Sequence, residues 1–552
     1  HVVALMHSTA EYILPLRNGL VPSKPPLFHW IGAVLMELAP IAPITAARWV
    51  SVLAAVLILV QVSSLARRFA VLVAEHDAAY HNAVRWLAPA LLLTSYGFVT
   101  MSTDARVDMC FAALVVCAVA SIIGAVTPAE LRFGVESAEE DRRFSRFFIL
   151  CGLATVAKGP LGIVLPGMCG VLWYLASRGW RATLKAWMRP RIGWLLLLFI
   201  ALPWYLLAAL KGGQGFIGRQ LLFENIQRLF GGEFVNAQPW YFYVQVTLLA
   251  TLPWSLLFIA TSGKILVGVV RVLGGSSTPA APIESGQRVQ YFLCAWYWVG
   301  FLLFSCASGK RPSYLLPLLP AVALQVALVL GAWGQRLSGA QVERYSRLLT
   351  RLIAVLFLIG IVTVALLDMV TIPGASGVAG LVQFPEGLER RGGVLQALLG
   401  AALVALYLLW RRRAGVILSP WPVFVLWFAI MSAITSLSWI AKGEFKGFEQ
   451  LAARVKSLAS ADTPLRVVRG AREEYFDPIL YYLDRPVELQ LPQYQELRCP
   501  GFTLARASWF EAAPIDWSKA QKVLELQEWR AEHLLASSDS KNLLVLVQCA
   551  EP

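Results

Sequence analysis

The sequence predicts a mainly α-helical polytopic membrane protein with a small C-terminal α/β domain. Three observations lead there. The 552 residues are 57% hydrophobic and only 15% charged, with a mean hydropathy of +0.61. A soluble chain of this size needs far more polar surface. Apolar stretches approaching the roughly 20 residues that cross a bilayer recur to about residue 440. Beyond that point the pattern shifts to short alternating segments, which read as strands. The domain boundary is therefore set at 1–441 for the membrane part and 442–552 for the α/β module. The 20 Trp and 16 Tyr suit aromatic belts at two lipid headgroup layers.

The predicted spans are 46–66, 84–100, 107–126, 146–158 with 160–177, 193–211, 241–262, 290–307, 313–333, 350–368, 395–411 and 420–440, about 12 in all. The apolar segment 27–39 is short for a span, and reads as an interfacial helix or the start of the next one. Lys and Arg set the orientation. Arg67 and Arg68 close the first span and place its end in the cytoplasm. Alternation then puts the basic loops 127–145, 178–192, 263–289 and 334–349, and Arg411 to Arg413, on that same side. This works only if 146–177 is a hairpin turning at Lys158-Gly159-Pro160. The net charge of +14 resides largely in such loops, which argues against a nucleic-acid groove.

Both termini then face the periplasm. A polar N-terminus reaches that side only behind a preceding span, so a first transmembrane helix upstream of His1 is expected. In the C-terminal module, Phe445–Leu458 is amphipathic, Leu465–Val468 and Leu543–Val547 read as strands, and Asp477–Leu483 reads as a helix. Cys110, Cys117, Cys151, Cys169, Cys294 and Cys306 lie in or beside apolar runs, as small buried hydrophobes do. Cys499 and Cys549 lie in the C-terminal module, where a periplasmic location permits a disulfide or two free thiols. No Cys/His spacing has the form of a zinc site.

The periplasmic span ends carry ionisable groups that a bilayer makes costly, and these are the functional candidates. In Ser23-Lys24-Pro25-Pro26 the prolines fix an extended entry that sets Lys24 at the membrane surface. Lys24 either holds a phosphate or snorkels. In Thr103-Asp104-Ala105-Arg106-Val107-Asp108 the two carboxylates are four apart and share a helix face; helix capping accounts for either one but not for both with an arginine. Gly159 and Pro160 suit a turn, which leaves Lys158 unexplained by structure alone. Phe223-Glu224-Asn225-Ile226-Gln227-Arg228 falls in a periplasmic loop and is either functional or an ordinary amphipathic surface helix. Ser308-Gly309-Lys310-Arg311-Pro312-Ser313-Tyr314 puts two adjacent cations on the side that otherwise avoids them. Cations clustered against lipid suit a lipid phosphate, and carboxylates beside them suit proton removal.

In this order the pieces SKPPLFHW, TDARVDM, AKGPLG, FENIQRLFGG with QPWYFYV and LPWSLLF, and SGKRPSYLLPLLP resemble the GT-C glycosyltransferases of the protein mannosyltransferase and aminoarabinose (lipid A) transferase superfamily. The likeness runs from about Pro22 to about Pro320. It implies a bacterial inner-membrane enzyme with its active site on the periplasmic side. Such an enzyme transfers a sugar from a polyprenyl (undecaprenyl) phosphate donor, with inversion and without a nucleotide sugar. The acceptor expected is lipid A phosphate. A protein hydroxyl or a glycan is the alternative acceptor, and a lipid-linked substrate transporter or flippase is the alternative of another class.

The resemblance also assigns roles. Lys24, Lys158, Arg228, Lys310, Arg311 and Tyr314 are expected at the donor phosphate, and Glu224 and Asn225 on the acceptor loop. The family's principal carboxylate precedes its KPP motif. Between His1 and Ser23 the only acid is Glu11, which does not match, so that carboxylate is expected upstream of His1. Asp108 is then the first choice for a catalytic carboxylate and Asp104 the second. No cofactor is required, and a divalent metal is neither demanded nor excluded by any spacing.

Overall fold

The computed structural model describes residues 2–16, 21–124, 137–178, 180–188, 190–218, 220, 238–273 and 285–336. Further on it describes 448–458, 464–468, 487–490, 501–506, 520–525 and 544–549. The expected spans 350–368, 395–411 and 420–440, the helix Asp477–Leu483 and Cys499 lie outside the described residues. The helices up to Arg336 belong to one compact unit and the strands to another.

The first unit is a bundle of mostly apolar helices. In order they are α1 (Val2–Thr9), α2 (Leu27–Leu38), α3 (Pro43–Val73), α4 (Ala78–Leu93), α5 (Tyr96–Ser102), α6 (Val107–Ile123) and α7 (Ser137–Lys158). There follow α8 (Leu161–Arg178), α9 (Trp180–Met188), α10 (Arg191–Phe216), α11 (Phe242–Ala250), α12 (Ser255–Leu273) and α13 (Ser285–Cys306). A 3-10 turn (Pro312–Leu318) leads into α14 (Leu319–Arg336). Among the described residues, four helices are long and apolar enough to cross a membrane: Pro43–Val73, Ile192–Phe216, Ser285–Cys306 and Pro312–Arg336.

α3 shows how sequence becomes packing. Pro43 starts it at a position where no N–H is needed. Ala46, Val50, Ala54, Ile58, Val62, Leu65 and Phe69 recur at helical spacing and are buried. Alanines on this stripe let neighbouring backbones approach closely. Trp49, Leu53, Val56 and Val60 lie on the other side, exposed as lipid-facing groups are. α6 is apolar around its whole circumference and buried nearly throughout. It packs against α3, α7, α8 and the 3-10 turn.

Two expected spans are interrupted. The stretch 84–100 divides after Leu93, because Thr94 and Ser95 turn their hydroxyls back onto Ala90 O and Leu91 O, each at 2.8 Å. Tyr96 N then bonds to Leu252 O at 3.0 Å instead of extending α4. The stretch 241–262 divides between Ala250 and Ser255, where Pro253 has no N–H to give. The two breaks interlock, with Trp254 Nε1 donating to Thr94 Oγ1 at 2.9 Å. The chain bends by 116° at the second break, between α11 and α12, and by the same angle between α5 and α6. Within the bundle, Gln325 bonds to Thr261 and Ser262, both at 3.0 Å, and Tyr297 to Thr247 at 2.7 Å. Such bonds join helices in lipid.

The hairpin at Lys158-Gly159-Pro160 is present. α7 ends at Lys158 and α8 begins at Leu161. Gly159 has φ +86°, a conformation that side chains disfavour. Gly162 lies so close to the Ala154 and Thr155 backbone that a Cβ there has no room.

In the second unit, helix α15 (Phe448–Leu458) accompanies β1 (Leu465–Val468), β2 (Glu488–Gln490), β3 (Gly501–Arg506), β4 (Ala520–Glu525) and β5 (Leu544–Cys549). The sheet order is β2-β1-β3-β5-β4, with β1 parallel to β2 and β3, and β5 antiparallel to β3 and β4. Leu465 and Val467 pair with Phe502 and Leu504 on one buried face, and Thr503 pairs with buried Val547 on the other. Burial on both faces is what the parallel pairs require. The predicted strand at Leu465–Val468 is present. β2, β3 and β4 carry too little alternation to have been seen in advance.

Candidate functional site

The bend between α5 and α6 builds the centre of the site. Arg106 is extended at the N-cap of α6, so Asp108 falls in the first helical turn, where the helix dipole favours an anion. Ser51 of α3 pins this bend by donating to Asp104 O at 2.6 Å and Arg106 O at 3.3 Å. Arg106 Nε meets Asp104 Oδ2 at 2.8 Å, and both side chains retain solvent exposure.

The hairpin brings Lys158 to the same place. Its Nζ lies 2.5 Å from Asp108 Oδ1, and the two side chains are only 6% and 12% exposed. Two rings enclose the ammonium, Phe111 with its centroid at 4.9 Å and Tyr314 at 4.8 Å. The quadrupole of each ring favours a cation there. The buried Ser313 stands beside the Asp108 carboxylate. Three segments far apart in sequence thus enclose one charge pair.

Lys310 is different. It is 6% exposed, and its hydrogen bond is to Gln238 O at 3.1 Å. An ammonium has three protons to donate, and among the described residues one carbonyl takes up one of them. The neighbouring Arg311 backbone is held by Tyr243, whose hydroxyl donates to Arg311 O at 3.2 Å and accepts from Arg311 N at 3.3 Å.

Lys24 is half-buried in a separate cleft with Leu14, Pro22, His29, Trp204 and Gln220. The segment before it is fastened at several points. Trp204 Nε1 donates to Ile13 O at 2.8 Å and Trp30 Nε1 to Tyr12 O at 2.7 Å. Gln220 donates to Pro22 O. Glu11 accepts from Ile13 N at 3.1 Å and Leu14 N at 3.0 Å, and pairs with Lys211 of α10. The Leu14 N–H first, and then Lys211, hold the Glu11 carboxyl below the usual glutamate range. Tyr205, next to Trp204, reaches Thr155 O at 3.4 Å, one turn before Lys158. The Lys24 cleft and the Lys158 pair are thereby connected through α10 and α7.

The structure therefore brings Asp108, Lys158 and Tyr314 into one contact set, and sets Asp104 at its edge with Arg106. Lys310 and Arg311 enter the 3-10 turn that carries Tyr314. Arg228, Glu224 and Asn225 lie outside the described residues. Sequence reasoning passed over Ser313, Phe111, Ser51 and the Glu11–Lys211 pair. Phe111 was legible, being three residues beyond Asp108 on the same helix face. The others carry no local signal. Among the described residues, no three His, Cys, Asp or Glu side chains converge as metal ligands.

No family model matches the chain. It is 27% identical over 179 residues to the undecaprenyl phosphate-alpha-4-amino-4-deoxy-L-arabinose arabinosyl transferase 2 of Proteus mirabilis, over 32% of this chain and 29% of that one. It is 28% identical over 243 residues to the protein of the same name from Pseudomonas fluorescens, over 43% of this chain and 40% of that one. The matched stretches thus span less than half the length of these relatives. The fold matches the crystal structure of ArnT from Cupriavidus metallidurans bound to undecaprenyl phosphate. The TM-score is 0.63 at 16% identity, covering 99% of this chain and 92% of that one. The resemblance to aminoarabinose transferases drawn from the motifs is borne out, and the chain has the mostly helical polytopic fold of that protein.

Proposed function

We propose that this protein transfers a sugar from a polyprenyl phosphate donor to a phosphate of lipid A, at the ends of its spans on the periplasmic side. The observation that carries this reading is Lys310, a buried ammonium whose hydrogen bond among the described residues is to a single carbonyl. A cation so placed gains most from an incoming anion with several acceptor oxygens. The names of the partly matching relatives and the undecaprenyl phosphate bound to a protein of the same fold support a lipid phosphate as that anion.

In this reading Lys310 and Arg311 hold the donor phosphate from one side and Lys24 from its cleft. Their charge stabilises the negative charge that grows on the phosphate as the glycosidic bond breaks. Lys158 contributes through a dipole, because Asp108 already neutralises it. Asp108 then acts by orienting Lys158. Asp104, half-buried and paired with the exposed Arg106, is the carboxylate positioned to meet an acceptor. A phosphate acceptor is already anionic and needs no base; a hydroxyl acceptor requires one. The domain 442–552 is assigned to the periplasm as an accessory module.

The test uses the protein in native membranes supplied with polyprenyl-linked sugar and lipid A, with mass spectrometry of both lipids. The expected result is a mass gain on lipid A with loss of the donor sugar. Lys310→Ala abolishes that gain at equal protein level, and Lys310→Arg retains part of it. Unchanged transfer by Lys310→Ala removes this lysine from the site. Donor that stays intact with every lipid acceptor removes the transferase reading.

A further inference from the structure

A groove of 430 Å³ runs between α3 and α4 on the outside of the bundle. Its apolar part is lined by Val56, Val60 and Pro89, and its polar end by Ser63, Arg67 and Arg85. From Val56 to Arg67 is eleven residues, roughly 16 Å along a helix. That is about half the 30 Å hydrocarbon thickness, the depth of one leaflet. Arg67 and Arg85 lie six and seven residues from the facing ends of their antiparallel helices. They therefore share one depth, about 10 Å below the connecting turn, at the boundary of headgroups and acyl chains.

The neighbouring charges sharpen the case. Arg68 turns inward and donates to Ala120 O at 2.9 Å and Gly124 O at 2.8 Å, closing the C-terminal end of α6. Arg67, its neighbour, points the other way and is exposed. Arg85 lies over the ring of the exposed Trp86, at 5.2 Å. Asp77, at the start of α4, is engaged by Tyr80 N and Gln335. Among the described residues neither Arg67 nor Arg85 forms an ion pair. Two cations from adjacent helices thus converge on the head of an apolar groove of leaflet depth.

We propose that this groove binds one anionic phospholipid. Its phosphate rests between Arg67 and Arg85, with the Ser63 and Ser64 hydroxyls beside it, and one acyl chain lies along Val56 and Val60. By the distribution of Lys and Arg this is the cytoplasmic leaflet, so the site is separate from the proposed donor site. The charge complementarity is that of a basic pocket between spans with a lipid headgroup.

The test is native mass spectrometry of the delipidated full chain titrated with phosphatidylglycerol or with phosphatidylcholine of the same acyl chains. The expected result is preferential retention of one phosphatidylglycerol. Arg67→Gln/Arg85→Gln weakens it about 25-fold, from a factor of roughly five per basic residue at an anionic surface. Val60→Trp, which fills the groove and leaves the charges, also weakens it. Equal retention of the two lipids overturns the proposal. So does an undiminished preference in either variant, or displacement of the bound lipid by inorganic phosphate, which would mark an anion site without a lipid groove.

Discussion

Separating Asp108 from Lys158 is the most informative perturbation of this structure. The pair has a 2.5 Å contact and side chains 6% and 12% exposed. Asp108→Leu leaves a buried ammonium whose remaining support among the described residues is two aromatic rings, worth about 0.5–2 kcal/mol each. Breaking a buried pair by removing one partner costs about 3–5 kcal/mol. Lys158→Met leaves the converse unpaired carboxylate and is expected to cost a similar amount. Asp108→Leu/Lys158→Met removes both charges and is expected to fall within about 1 kcal/mol of the parent. The assay is equilibrium unfolding of the purified protein in mixed detergent–SDS micelles, read by tryptophan fluorescence. Two single variants each costing under about 1 kcal/mol and adding independently would refute the reasoning, since contacting residues couple by more than that. All three variants are also expected to lose transfer, because the double variant restores packing and leaves the site without its dipole.

Three further outcomes follow from the geometry. Lys310→Met removes a buried charge with one hydrogen bond among the described residues, so unfolding is expected to be neutral or stabilised by about 1 kcal/mol while transfer is lost; a loss of stability above that would mean the lysine is structural. Gly162→Val forces a side chain into the Ala154–Thr155 backbone and is expected to cost at least about 1–3 kcal/mol, checked by the same titration. Glu11 has a carboxyl held below its ordinary value by the Leu14 N–H and Lys211. Its contribution is therefore full above the ordinary glutamate range and is lost as pH falls through the lower folded value. Glu11→Gln is expected to remove that acid-side dependence, with an effect under about 1 kcal/mol because the pair is partly exposed; an identical pH profile for the variant would show that the pair does not fasten this loop.

Local chemistry alone made much of the fold legible. The stripe Ala46, Val50, Ala54, Ile58 and the uniform hydrophobicity of α6 announce membrane helices because burial repeats with the helical period. The turn after Lys158 is written in Gly159 and Pro160, which suit no helix interior, and the strand Leu465–Val468 in its apolar run. The ionisable residues at the span ends stood out because a bilayer makes each of them costly. Local pattern did not show where two spans break, since Thr94 and Ser95 become a helix end only when Tyr96 N finds Leu252 O. Nor did it show which charges pair. Asp108 and Lys158 are 50 residues apart, and both looked like free functional groups until packing buried them against each other. Glu11 finds Lys211 across 200 residues. Lys310, in a motif no more polar than the others, meets one carbonyl among the described residues. Periodicity and helix-breaking residues act within a few turns, so the sequence carries them openly. The partner of a charge depends on which segments the whole bundle presses together, and only the tertiary structure decides that.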